Sequence, residues 1–90
     1  MDHILDEIRL EREAQDRKFG PQIGKDLGRW HAILSEEYGE VAKEVCDILH
    51  GRGSPKNLRV ELIQTAAVAV AMIEHGDQEG WWPEGAGNML

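Results

Sequence analysis

The stretch LSEEYGEVAKEV, residues 34–45, decides the fold and raises the functional question together. Leu34, Tyr38, Val41 and Val45, continued by Ile48, recur at alternating spacings of four and three. That is the pattern of a helix laying one apolar seam on a neighbour. The same stretch crowds Glu36, Glu37, Glu40 and Glu44 together, although like charges at helical neighbour spacing repel. Taking about 100° per residue from Leu34, the seam falls within about 40°, with Glu37 and Glu44 at its edge. Glu40 lies slightly farther round and Glu36 farther again, all on one flank.

Acids at the border of an apolar face are half-covered by the neighbouring helix. They lose solvation there, and each raises the cost of charging the others. A hard divalent cation with oxygen ligands relieves several carboxylates at once. The plain alternative is a solvated acidic face.

Working outward, three helices are expected. The first runs from about Asp2 to Lys18, with Ile4, Leu5 and Ile8 apolar and the rest strongly charged. FGPQIGKDLG then reads as a loop. The second helix starts near Asp26, a good N-cap, and ends before Gly51. Gly39 within it costs about 1 kcal/mol relative to alanine and marks the point of easiest close helix approach. Ser54-Pro55 fits a cap followed by proline at the first helical position. The third helix is expected to run to about His75, before Gly76. LIQTAAVAVAMI within it is apolar nearly all round, so it should pack on several sides. Residues 1–77 form the helical domain and 78–90 a glycine-rich tail, in which Trp81 and Trp82 are expected to dock on this chain or a partner.

Ninety residues make one small domain, and a chain this short buries only a little over ~60% of its unfolded surface. The one cysteine, Cys46, allows no intrachain disulfide, which points to a reducing compartment. Homo-oligomerisation, as dimer or tetramer, is the expected source of further stability. The formal charge of −7 argues against a phosphate-gripping nucleic-acid binder. No apolar run approaches the ~20 residues of a membrane span. The expectation is a soluble, cytoplasmic protein that binds neither nucleic acid nor membrane.

The third helix offers a second half to the acidic cluster. Glu61 and Gln64 are at i and i+3, hence on one face. If the second and third helices run antiparallel, Glu40 and Glu61 stand at matching heights about the connection. The result is an oxygen-lined site across two helices suited to Mg²⁺ or Mn²⁺.

These residues resemble a known family. WHAILSEEYGEVAKEV followed by NLRVELIQTAAVAVAMIE is similar to the MazG-like branch of the all-α nucleoside triphosphate pyrophosphohydrolases. That superfamily carries E-E-x-x-E on one helix and E-x-x-D on the next. Here the first is Glu36-Glu37-Tyr38-Gly39-Glu40, and the second begins at Glu61 with Gln64 in the place of the aspartate. The resemblance covers about residues 10–75 and extends to the upstream ERE-QD-KFG. It implies an all-α bundle completed by oligomerisation. The activity it implies is Mg²⁺-dependent hydrolysis of a nucleoside triphosphate, a dNTP or non-canonical NTP, to monophosphate and pyrophosphate. Glu36, Glu37, Glu40, Glu61 and Gln64 would be the metal ligands, with Glu36, Glu37 and Glu40 catalytic.

Arg12, Gln15, Lys18, Phe19, Lys25 and Arg29 are candidates to contact the substrate, with Lys56 and Arg59 behind them. Solvated helix ends are their plainer reading. Trp30 and Cys46 read as packing residues, and His31, His50 and His75 as ordinary surface or helix-end positions. Two rival functions stand beside the first. One is a non-catalytic helical assembly module with a degenerate metal site. The other is a phosphoribosyl-ATP pyrophosphohydrolase of the same superfamily.

Overall fold

The computed structural model describes residues 1–19 and 25–83. Its elements are three helices, α1 (Asp2–Phe19), α2 (Leu27–Leu49) and α3 (Pro55–Glu79), so the described chain is all-α. The Asp26 carboxylate caps α2 by accepting from the Arg29 backbone N–H at 2.8 Å. The Ser54 hydroxyl caps α3 by accepting from the Asn57 N–H, with Pro55 opening the helix. Each cap satisfies a backbone donor that the first helical turn leaves unpaired. Gly51, at φ 77, turns the chain after α2. The Glu44 carboxylate then accepts from the Ser54 N–H at 2.7 Å, fixing the short connection back onto α2.

α3 is the central element and packs against both α2 and α1. Trp30 near the start of α2 meets His75 near the end of α3, while Glu44 meets Ser54 at the connection. The two helices are therefore antiparallel. Between them lies a small core of Trp30, Val68 and Ala71, with Ile33, Leu34, Met72 and Trp81 packed against it. α1 is held to α3 by ion pairs. Arg59 donates twice to the Glu7 carboxylate, at 2.6 and 2.7 Å, and Arg12 bridges Glu74 and Asp16. Among the described residues, no helix is long and apolar enough to cross a membrane.

Several expectations are corrected. The α2 seam is not centred on α3: Leu34, Val41 and Ile48 are half-buried, but Tyr38 is 65% exposed and Val45 39%. Trp30, the most buried residue of α2, lies on the acidic side of the seam, and α3 packs there. α2 is thereby rotated so that Glu37 and Glu44 are more covered than Tyr38. Among the described residues no helix approaches Gly39, where an added Cβ would meet nothing within 4 Å. Cys46 is exposed, not packed.

α3 also does not stop before Gly76. It continues to Glu79 and is closed by Gly80 at φ 70, the left-handed position that glycine favours. Gly76 is instead a packing glycine, since an added Cβ would collide with the Trp82 ring and crowd Trp81. The Trp81 N–H returns to the Gly76 carbonyl at 2.9 Å, and the Trp82 indole N–H donates to Asp77 at 2.8 Å. The boundary expected at residue 77 thus falls inside α3, and both tryptophans dock on their own chain. His75 is buried rather than superficial, ringed by Trp30 at 5.7 Å and Trp81 at 5.2 Å.

Candidate metal centre

The rotation of α2 carries its acidic flank toward α3. Glu37 and Glu40 lie nearly one turn apart, so their side chains project side by side. Glu61, in the second turn of α3, faces them from across the interface. One carboxylate oxygen from each of Glu37, Glu40 and Glu61 lies within 4.8 Å of the others. Glu40 is exposed and the other two are half-buried, so the group opens to solvent on one side.

The electrostatics are unfavourable for three bare carboxylates. Burial raises the Glu37 carboxyl above the usual range, and the neighbouring charges of Glu40, Glu36 and Glu11 push it further. Burial likewise raises Glu61, followed by hydrogen bonding to Glu40 and the fields of Glu40, Glu37 and Glu44. Oε2 of Glu37 and Oε2 of Glu61 are both buried with no hydrogen-bond partner among the described residues. A buried acceptor without a donor costs about 1–3 kcal/mol, and more when charged. The donor set is hard oxygen throughout, which suits Mg²⁺ or Mn²⁺ rather than a softer metal. The all-oxygen donor set and the two orphaned oxygens are compatible with a divalent cation.

Of the other expected site residues, Gln64 is half-buried one turn after Glu61 on the same side of α3, and Glu36 is exposed at the rim of the cluster. Arg12 is engaged by Glu74 and Asp16 at 2.8 and 2.9 Å, and Gln15 donates to Glu11. Lys18 is exposed, and the side chain of Phe19 lies outside the described residues. The Lys25 ammonium sits 5.1 Å over the Trp30 ring. Burial lowers its pKa, and Arg29 adds to the effect. Arg29 is exposed, two turns before Glu36 on the same flank of α2. Arg59 is paired with Glu7, and Trp30 is a core residue at 2% exposure.

The residue that sequence reasoning missed is Glu11, a half-buried acid of α1 whose charge reaches Glu37. The only sequence signal was an acid interrupting the amphipathic pattern of α1. Comparison with known protein families, with curated proteins and with solved structures gave no match.

Proposed function

We propose that this chain is a Mg²⁺-dependent nucleoside triphosphate pyrophosphohydrolase, with Mn²⁺ as a substitute ion, working as a homo-oligomer. The observation that carries the reading is the group formed by Glu37, Glu40 and Glu61, with its two unpartnered buried oxygens. Glu37, Glu40 and Glu61 hold the ion, and Gln64 offers a neutral carbonyl oxygen beside Glu61. A bound divalent cation supplies the positive charge that lets an acidic site accept a triphosphate, polarises the phosphorus and acidifies water.

The chain's own residues do the rest. Glu36, exposed at the rim, orients the attacking water and accepts its proton. Arg29, on the same flank of α2, contacts the phosphates from the side. Water attacks the α-phosphorus, the bond to the α–β bridging oxygen breaks, and pyrophosphate leaves. Positioning and charge neutralisation provide most of the acceleration.

The test is an assay of the purified protein with a panel of canonical and modified NTPs and dNTPs plus Mg²⁺, reading pyrophosphate. Release is expected for at least one nucleotide, and Glu40→Gln should reduce it by at least about 100-fold at unchanged helicity. Undiminished release from Glu40→Gln overturns the assignment of the site. No release from any nucleotide, together with no metal binding, leaves a helical assembly module.

A further inference from the structure

We infer that Glu11 of α1 is a further positioning residue of the metal centre, holding water on the ion from outside contact range and supplying the negative charge that Gln64 does not. This rests on the divalent-ion reading above and extends it to α1.

The argument begins with the face that α1 turns inward. Ile4, Glu7, Ile8, Glu11, Arg12 and Gln15 are half-buried, at the three- and four-residue spacings of one helix face. Two of the charges on this face are neutralised directly. Glu7 accepts both bonds from Arg59, and Arg12 is held between Glu74 and Asp16. Glu11 is not neutralised. Among the described residues its polar contact is the Gln15 amide, which donates to Oε1 at 3.5 Å, and no cation pairs with it. A carboxylate on a packing face without a cation is costly.

The same ion pairs set its height. Glu7 pairs with Arg59 and Arg12 with Glu74, so α1 runs in the same sense as α3 and Glu11 falls between those two levels. That stretch of α3 carries Glu61 and Gln64. Glu37, reaching in from α2, feels the Glu11 charge, which helps push its carboxyl up. With no ion present, Glu11 only adds to the repulsion. A cation reverses the sign of its effect.

Glu37, Glu40 and Glu61 bring one oxygen each within 4.8 Å of one another, and Glu11 lies outside that group. A small hard cation keeps several waters, and a carboxylate in the surround accepts hydrogen bonds from them. Coulomb attraction falls only as the inverse of distance, so the Glu11 charge strengthens binding without touching the ion. Gln64, half-buried one turn after Glu61, can offer an oxygen but no charge. Glu11 makes up that charge from α1.

The test is calorimetric titration of the chelator-treated whole chain with Mn²⁺, paired with thermal melts in chelator. The samples are wild type, Glu11→Gln, Glu13→Gln and the double variant Glu11→Gln/Gln64→Asp. Glu11→Gln should weaken Mn²⁺ binding about tenfold, the loss typical of a partner outside the ligand set, while its metal-free melting temperature does not fall. Glu13 is exposed two residues along α1, and Glu13→Gln should leave the affinity unchanged. The double variant, with a charge returned to position 64, should recover most of the lost affinity. Equal affinity in wild type and Glu11→Gln, an equal loss in Glu13→Gln, or no recovery in the double variant overturns the proposal while the ion reading stands. A lower metal-free melting temperature in Glu11→Gln marks a purely structural role and overturns it too. No Mn²⁺ binding by the wild type overturns both readings together.

Discussion

Glu37 and Glu61 reach toward each other from antiparallel helices, and each keeps one buried carboxylate oxygen, Oε2 in both, that no donor among the described residues satisfies. Glu40 completes the group within 4.8 Å. Three carboxylates gathered at the edge of so small a core oppose folding when no cation is present, and that opposition is measurable.

Its first consequence is a pH dependence of stability in metal-free protein. Burial raises the carboxyls of Glu37 and Glu61, so the folded chain holds protons that the unfolded chain has released. Stability therefore falls as pH rises from the ordinary glutamate range through the raised values. Glu61→Gln removes part of this effect. At neutral pH without metal it should stabilise the protein, raising its Tm. Thermal melts in chelator across pH 4 to 8 check it, with the advantage of the variant shrinking toward acid pH.

The docking of the two tail tryptophans should depend on the absence of a side chain at position 76. Gly76→Ala places a Cβ against the rings of Trp82 and Trp81, and overpacking of this kind costs about 1–3 kcal/mol. Tryptophan emission should shift to the red as the rings leave His75 and Gly76, while far-ultraviolet circular dichroism shows α3 retained. Unchanged emission would contradict the packing described.

α1 should loosen from α3 under acid. The Arg59 guanidinium, which donates twice to Glu7, holds the Glu7 carboxyl below the usual range. A depressed carboxyl contributes stability above its ordinary pKa and loses it as pH falls through the lowered value. At neutral pH, Arg59→Gln should speed amide exchange in α1 by roughly a few-fold. The difference from wild type should disappear once Glu7 is protonated.

Much of this architecture was legible in the sequence because its signals are local. Asp26 and Ser54-Pro55 mark helix starts through side-chain chemistry that acts within one turn. The matched heights of Glu40 and Glu61 follow from a short connection between antiparallel helices. What was not legible is which part of an apolar arc the chain covers by itself. Periodicity gives the direction of the α2 seam, but the bulk of Trp30 draws α3 to one side of it, leaving Tyr38 outside. The role of Gly76 was hidden for a related reason. A glycine at which rings pack and a glycine that ends a helix look alike until the partner rings are placed. Arg12 reads as a free cation in sequence, and only the fold brings Glu74 of α3 to it. Glu11 enters the acidic field only through the placement of α1.

Calorimetric titration of chelator-treated protein with Mn²⁺ tests the central claim most directly. Saturable binding to the wild type is expected, weakened at least about tenfold by Glu40→Gln or Glu61→Gln. Absence of binding heat, or equal affinity in the wild type and both variants, would show that these carboxylates hold no ion.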